Sequence, residues 1–342
     1  MTAADLEQTA RALVADAKGL LAMDESNPTC NKRFERLRIP QTVEMRRAYR
    51  ELLLTAPGLG GSISGVILYD ETIRQATKNG TSFLRVIEDS GMIIGIKVDL
   101  GAKDMAGFPG EKITEGLDGL RERLHDYARL GARFAKWRAV ISIGPGLPTS
   151  RCVASNAEAL ARYAALCQEC GLVPIVEPEV LMDGDHGLAR CAEVTENALR
   201  TLFAALSAHR VALEGLLLKP NMVLPGKDSK VQDGVDAVAQ ATVRTLLRTV
   251  PAAVPGVAFL SGGQAPQLAC ERLSAMNSAF SGRLPWALTF SFSRALQEPV
   301  LADWKGKDSG VEAAQTALLH RARCASAARR GRYSADSEAA AG

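Results

Sequence analysis

The sequence of 342 residues is short of three features that would direct it to a membrane or to nucleic acid. No apolar run approaches the ~18 residues that a transmembrane helix needs. The 41 basic and 38 acidic side chains nearly cancel, with a net charge of +3, so there is no broad basic surface for nucleic acid. The first residues lack the basic and then apolar order of an export signal. We therefore expect neither a membrane nor a nucleic acid as partner.

Cysteine and histidine are also too few, or too scattered, to suggest disulfides or a metal centre. The seven cysteines are an odd number in a long chain, which favours reduced thiols and a cytoplasmic location. Cys167 and Cys170 have redox spacing, but they end a helical segment, where thiol pKa values are not lowered. Of the four histidines, His125, His209 and His320 fall in helical segments without ligand spacing between them, and His186 lies in a loop. The sequence thus predicts no metal and no cofactor.

The chain contains no linker or low-complexity stretch that would divide it, and it alternates between strand-like and helical segments. The strand-like runs are Gly19–Asp24, Ile63–Tyr69, Met92–Asp99, Phe134–Val140, Val173–Glu179, Gly215–Asn221, Gly256–Gly263 and Trp286–Phe292. The helical segments are 3–17, 43–54, 81–90, 114–131, 155–170, 187–209, 233–250, 264–280 and 311–328.

Eight strands separated by helices indicate an α/β fold of the (β/α)8 type, a TIM barrel. We expect one barrel domain over residues 1–331 and a short, flexible tail of small and polar types over 332–342. An open, doubly wound sheet is the alternative, but no Gly-x-Gly-x-x-Gly turn follows the first strand.

Most of the predicted strands are apolar until their last residues and then become charged or polar. Barrel enzymes carry their chemistry at this end of the strands. Alternate residues of a strand point to the same side, so pairs two positions apart share a face. The strand-end residues are Asp24, Lys97, Asp99, Lys136, Arg138, Glu177, Glu179, Lys219, Ser261, Gly262, Gly263 and Ser291, with Arg294 just beyond. Charge repeated at the same end of several buried strands predicts a polar pocket at the barrel mouth.

Lys219 ends the most apolar of these runs, Gly215-Leu-Leu-Leu-Lys-Pro-Asn221. Alternation places Leu216 and Leu218 on one face, and Leu217 and Lys219 on the inward face. A lysine read alone would be expected to reach solvent, but this one lies among the acids and bases of the other strands. Burial and cationic neighbours favour the neutral amine that a nucleophile requires. Lysine with nearby carboxylates predicts Schiff-base chemistry on a carbonyl substrate.

The glycine-containing loop after the seventh strand suggests that the substrate is an anion. Ser261-Gly262-Gly263 can offer several backbone N–H groups at a position where barrels commonly bind phosphate. Arg294, after the eighth strand, adds a positive charge at the same end.

Six of the motifs resemble those of the class I, Schiff-base fructose-bisphosphate aldolases, in a branch similar to plastid and bacterial members. The motifs are Leu21–Ser26, Gly95–Asp99, Phe134–Arg138, Val173–Glu179, Leu216–Met222 and Phe259–Gln264. The resemblance implies reversible cleavage of fructose 1,6-bisphosphate to dihydroxyacetone phosphate and glyceraldehyde 3-phosphate, in glycolysis and gluconeogenesis. It also implies a homotetramer that binds sugar phosphates and needs no metal.

The resemblance also implies a role for each matching residue. Lys219 is the Schiff-base lysine, and Glu177 is the acid and base for imine formation. Asp24 takes the proton from the hydroxyl whose collapse breaks the carbon–carbon bond. Lys136 holds the carbonyl, and Glu179 orients the charged network. The substrate and phosphate ligands implied in this way are Ser26, Thr29, Arg33, Lys97, Arg138, Ser261, Gly262, Gly263, Ser291 and Arg294.

The sequence departs from the family pattern in ways that bear on specificity. Ser293 stands where glycine or alanine is common, and the loop after Ser26 reads Asn-Pro-Thr29. The sequence ends in Glu338-Ala-Ala-Ala-Gly342, without the terminal tyrosine that many members use for proton exchange, which leaves open the preference between fructose 1,6-bisphosphate and fructose 1-phosphate. The alternatives are another Schiff-base aldolase, such as transaldolase or deoxyribose-phosphate aldolase, and a barrel repurposed as a binding or scaffold protein.

Overall fold

A computed structural model describes residues 2–339, and its central feature is a closed barrel of eight parallel strands. In chain order the strands of the barrel and of one additional hairpin are β1 (Gly19–Ala22), β2 (Ile63–Leu68), β3 (Ile93–Lys97), β4 (Ala102–Asp104), β5 (Lys112–Thr114), β6 (Phe134–Ile141), β7 (Val173–Val180), β8 (Leu217–Leu218), β9 (Gly256–Phe259) and β10 (Ala287–Phe292). The barrel order is β1-β10-β9-β8-β7-β6-β3-β2. β4 and β5 form a separate antiparallel hairpin after β3. The predicted TIM barrel is confirmed.

The helices surround the barrel and connect its strands. They are α1 (Ala3–Leu13), α2 (Asn27–Arg36), α3 (Val43–Leu54), α4 (Asp70–Ile73), α5 (Phe83–Asp89), α6 (Leu120–Leu130), α7 (Ser150–Glu169), α8 (Leu188–Ala208), α9 (Val235–Thr249), α10 (Pro266–Ala279), α11 (Arg294–Trp304), α12 (Val311–Arg329) and α13 (Ala335–Ala339). In the described part of the chain, none is long and apolar enough to cross a membrane.

Local sequence signals explain where several helices begin and end. Thr2 caps α1 in a capping box with Asp5, and Thr42 and Thr149 cap α3 and α7 through their hydroxyls. α1 ends at Leu13, earlier than the predicted 17, because Asp16 and Ala17 adopt left-handed backbone angles.

The structure also differs from the predicted elements in other places. α2 and α11 were not among the predicted helical segments, and the residues after Ser26 were predicted as a loop, although Pro28 in the first turn of α2 is a helix-start signal. The β4–β5 hairpin was also missed. β8 is regular only at Leu217–Leu218, not over Gly215–Asn221, because Pro220 lacks an N–H group to continue the ladder. The Lys219 N–H still donates to the Val176 carbonyl at 2.8 Å, so the lysine remains aligned with β7.

The amino-terminal end of the barrel is filled with apolar side chains and covered by α1. Leu6, Ala10 and Leu13 of α1 pack with inward residues of the strands, including Phe134 and Leu217. Gly95 makes room for the Phe134 ring, since a Cβ at Gly95 would lie 2.1 Å from it. This end of the barrel is therefore packed and dry, which leaves the opposite end for a ligand.

Residues 332–339, which begin the predicted tail, run beside α12. Glu338 of α13 accepts hydrogen bonds from Arg321 of α12 at 2.6 Å. Residues 340–342, on which the expectation about a terminal tyrosine depends, lie outside the described residues.

Candidate active site

The carboxyl ends of the strands surround a cavity of about 540 Å³. The predicted site residues that line it are Asp24, Ser26, Thr29, Arg33, Lys97, Lys136, Arg138, Glu177, Glu179, Lys219, Ser261, Gly262, Ser291 and Arg294. Gly263 does not line the cavity; it lies against the guanidinium of Arg294, and a Cβ there would come within 2.9 Å of the Arg294 nitrogens. The structure thus brings together almost the whole predicted set.

Strand register explains why these side chains meet. Lys97 of β3 lies opposite Lys136 of β6, and Arg138 of β6 lies opposite Glu177 of β7. Lys136 follows the inward Phe134 by two positions, and Glu177 follows the inward Ile175 by two positions. The barrel interior therefore changes from apolar to charged within one pleat.

Lys219 and Lys136 are connected by a shared carboxylate. The Lys219 Nζ lies 3.1 Å from Glu177 Oε1, and the Lys136 Nζ lies 3.2 Å from Glu177 Oε2. Lys136 also contacts Asp24 Oδ2 at 2.8 Å. All four residues are buried, so their charges interact with little screening from water.

The charge state of this group follows from opposing effects of burial and neighbours. Burial alone would raise the pKa of the Asp24 carboxyl, but the ammonium groups of Lys136 and Lys219 hold that pKa well below its usual range. Burial alone would lower the pKa of Lys136, but Asp24, Glu177 and Asp99 raise it above its usual range. Asp24 is therefore an ionised base at neutral pH, beside a lysine that stays protonated.

Asp99 and Glu179 each hold one further cation of the cavity wall. Asp99 Oδ1 lies 2.7 Å from the Lys97 Nζ, and its Oδ2 accepts from the backbone N–H of Arg138 at 3.2 Å. Glu179 accepts a hydrogen bond from the Arg138 side chain. These contacts fix the positions of Lys97 and Arg138 on one side of the cavity.

Two parts of the cavity suit the binding of an anion. On one side, Gly262 and Gly263 have φ values of +60° and +90°, which glycine adopts without strain, and Arg294 begins α11 beside them. Ser291, on the adjacent strand, has a buried hydroxyl with no hydrogen-bond partner among residues 2–339. On the other side, the hydroxyls of Ser26 and Thr29 lie 3.0 Å apart where α2 begins. Backbone N–H groups, hydroxyls and guanidinium groups are the usual ligands of phosphate.

The sequence interpretation missed Glu25, which lines the same cavity. Its buried carboxylate accepts from Arg33 at 2.7 Å, from Arg50 at 2.8 Å and from the Ser293 hydroxyl at 2.6 Å. Burial alone would raise its pKa, but Arg33 and Arg50 lower the pKa of Glu25 from 4.5 to about 2. Two adjacent acids at a strand end, Asp24 and Glu25, were the signal available in the sequence, but Arg50 on α3 could be assigned as a partner only in three dimensions.

Comparisons with known proteins identify the family of this chain. The family model of class-I fructose-bisphosphate aldolase matches residues 5–342. A probable fructose-bisphosphate aldolase class 1 of Xanthomonas campestris is 54% identical over 324 residues, which are 94% of this chain and 96% of that protein. A cytosolic fructose-bisphosphate aldolase of Arabidopsis thaliana is 51% identical over 321 residues, which are 94% of this chain and 81% of that protein.

Among solved structures, the fructose-bisphosphate aldolase of Plasmodium falciparum, in a ternary complex with TRAP and a small-molecule inhibitor, superposes with a TM-score of 0.95. It is 47% identical, and the match covers 97% of this chain and 95% of that chain. The chain therefore belongs to the class I fructose-bisphosphate aldolase family.

Proposed function

We propose that the protein cleaves fructose 1,6-bisphosphate reversibly to dihydroxyacetone phosphate and glyceraldehyde 3-phosphate through a Schiff base on Lys219. The observation that carries this proposal is the connected series Lys219–Glu177–Lys136–Asp24, with contacts of 3.1, 3.2 and 2.8 Å at the barrel mouth. In this series Lys219 is the nucleophile and Glu177 the proton donor, whereas Lys136 supplies a positive charge and Asp24 is the base. Consecutive members are in contact, so one bound substrate molecule can reach all of them.

In the first step Glu177, which lies 3.1 Å from the Lys219 Nζ, takes a proton from the Lys219 ammonium, and the neutral amine attacks the ketone carbon of the open-chain sugar. Glu177 then gives this proton to the hydroxyl of the carbinolamine, which leaves as water. Lys136 remains cationic and stabilises the negative charge that develops on the carbonyl oxygen. The product of this step is an iminium ion, which attracts electrons more strongly than the ketone did.

Cleavage then needs a base at the hydroxyl on the far side of the bond that breaks. Asp24, kept ionised by Lys136 and Lys219, accepts that hydroxyl proton. The electrons of the O–H bond form the aldehyde, and those of the carbon–carbon bond move to the iminium to give an enamine. Protonation of the enamine and hydrolysis release dihydroxyacetone phosphate and return Lys219 to the amine.

The two anion-binding sides of the cavity hold the two phosphates in this proposal. Ser261, Gly262, Gly263, Ser291 and Arg294 bind the phosphate of the ketose half, with Gly263 acting through the position of Arg294. Ser26, Thr29, Arg33, Lys97 and Arg138 bind the far phosphate. Glu179 keeps Arg138 in place.

A cleavage assay tests the proposal and measures the substrate preference that the sequence leaves open. The full-length protein is assayed with fructose 1,6-bisphosphate and with fructose 1-phosphate, and the triose products are identified by mass. We expect both to be cleaved, with the bisphosphate favoured because the far-phosphate ligands are all present. Turnover of neither ketose phosphate would overturn the proposal.

We also propose that the active form is a homotetramer in the cytoplasm. The cytosolic location named for the Arabidopsis thaliana relative supports the compartment. Light scattering after size-exclusion chromatography tests the assembly, and a mass of one chain at assay concentration would contradict it.

A further inference from the structure

A second cluster of reactive side chains lies away from the barrel mouth, between α12 and α13. His320 and Cys324 are four residues apart, on one face of α12, and Glu338 reaches them from α13. The His320 Nε2 lies 3.7 Å from the Cys324 Sγ and 3.4 Å from Glu338 Oε2. None of the three residues lines the cavity that contains Lys219.

These separations match those between ligands of one tetrahedral metal ion. With bonds of about 2.0 Å to nitrogen and oxygen and about 2.3 Å to sulfur, ligand atoms around zinc lie roughly 3.3 to 3.6 Å apart. The distances from the His320 Nε2 to the Cys324 Sγ and to Glu338 Oε2 are within a few tenths of an ångström of that range, and all three ligand atoms lie within 4.8 Å of one another. The arrangement therefore already fits two of the three pairs of ligand atoms.

Neighbouring side chains hold Glu338 in place, as outer partners of metal ligands commonly do. The Arg321 guanidinium donates to both Glu338 oxygens at 2.6 Å, and the Tyr333 hydroxyl donates to Glu338 Oε1. Arg321 also contacts the Cys270 thiol at 3.6 Å. The charge of Arg321 opposes a cation, but a Cys324 thiolate and the Glu338 carboxylate together bring two negative charges.

We propose that His320, Cys324 and Glu338 form a binding site for a single divalent metal of the zinc type, with water as the fourth ligand. One nitrogen, one sulfur and one oxygen donor suit zinc better than the hard cations, which prefer oxygen alone. The ion joins α13 to α12 and so fastens the segment after Gly331 to the barrel. The site is structural, because it does not touch the residues of the proposed reaction.

A second group of three, His125, Glu169 and Cys170, provides the matched control. His125 and Glu169 are exposed to water, whereas Cys324 of the proposed site is buried. Among the described residues His125 makes no hydrogen bond to Glu169 or Cys170, whereas His320 contacts both of its partners, so we expect the group at His125 to bind metal much more weakly.

The test uses Co²⁺ as the probe, because a thiolate bound to Co²⁺ gives an intense charge-transfer band in the near ultraviolet. Full-length protein is stripped with a chelator, dialysed and titrated with Co²⁺, and then with Zn²⁺ in competition. We expect saturation at one equivalent, loss of the band in Cys324→Ser, and an unchanged band in Cys170→Ser. A band that is absent from the wild type, or that persists in Cys324→Ser, would overturn the proposal.

Two further variants keep the test informative if Cys324→Ser fails to fold. His320→Gln removes a ligand from a partly buried position, and we expect it to weaken Co²⁺ binding by more than about 100-fold. Tyr333→Phe removes only the hydroxyl that holds Glu338, and we expect a weakening of about 10-fold. Cleavage of fructose 1,6-bisphosphate should be unchanged in both. Unchanged Co²⁺ affinity in His320→Gln would refute the metal site. A wild-type protein that does not cleave fructose 1,6-bisphosphate would contradict only the proposed function.

Discussion

The two ends of the barrel use the same strands for opposite purposes. At the amino-terminal end, inward side chains pack under α1; they are Leu20, Phe134, Ile175 and Leu217. Two or four residues later, the same strands present Asp24, Lys136, Glu177 and Lys219 to the mouth. The amino-terminal end is apolar and supplies hydrophobic stability, whereas the mouth contains buried charges that are costly without partners. The difference shows that each strand contributes to stability at one end and to the chemistry at the other, so these roles are not divided between different strands.

Replacing the Schiff-base lysine should give the largest effect, and it should fall on activity alone. In Lys219→Ala we expect cleavage to fall by on the order of 10⁴-fold or more, because no other amine reaches the substrate carbonyl in the same position. The fold should persist, since Glu177 still contacts Lys136. Steady-state kinetics and circular dichroism measure the two outcomes.

The matched control for Lys219→Ala is Lys227→Ala, which removes an exposed lysine that is paired with Asp183 outside the cavity. Its activity should stay within about twofold of the wild type, as expected for a surface change. If Lys219→Ala retained cleavage, the nucleophile would be a residue other than Lys219.

A substitution at the amino-terminal end of the barrel should give the reverse result, a loss of stability without loss of cleavage activity. Leu13 is fully buried in α1, and Leu13→Ala should lower the free energy of unfolding by about 2–5 kcal/mol. Urea denaturation measures this, and kcat under native conditions should stay near the wild-type value. Leu247→Ala, at a leucine that is 53% exposed on α9, should change stability by less than about 0.5 kcal/mol. If the two substitutions lowered the free energy of unfolding equally, the amino-terminal end of the barrel would not be the packed core described above.

The buried carboxylate of Glu25 should give a smaller effect that depends on pH. The pKa of Glu25 falls from 4.5 to about 2 on folding, so its ionised form stabilises the native state above pH 4.5. That contribution, about 3 kcal/mol, is lost as the pH falls from 4.5 towards 2. Glu25→Gln should therefore be less stable than the wild type at pH 7, and the difference should shrink in acid.

Ser293→Ala is the matched control for Glu25→Gln, because it removes a hydrogen bond to the same carboxylate but no charge. We expect a loss of about 1.5 kcal/mol that changes much less between pH 7 and pH 3 than the loss in Glu25→Gln does. A stability difference for Glu25→Gln that grows as the pH falls would contradict the assigned ion pairs.

The sequence predicted the barrel and the mouth well because both depend on short patterns along single strands. Alternation of Leu217 and Lys219, or of Phe134 and Lys136, is visible in the residues themselves. The assignment of roles to the individual site residues remains a prediction for the experiments above to test.

What the sequence did not reveal depends on contacts between distant segments. Glu25 and Arg50 are 25 residues apart, and Ser293 is 268 residues from Glu25. His320 and Cys324 have helical spacing in the sequence, but Glu338 approaches them through a turn that helical periodicity does not predict.

The Schiff base on Lys219 is tested most directly by borohydride reduction in the presence of dihydroxyacetone phosphate, followed by mass mapping of the modified peptide. We expect one stable adduct, on Lys219, and turnover that EDTA leaves unchanged even if it removes a metal from the proposed site at His320. No adduct, an adduct on another lysine, or turnover that is lost with EDTA would contradict this mechanism.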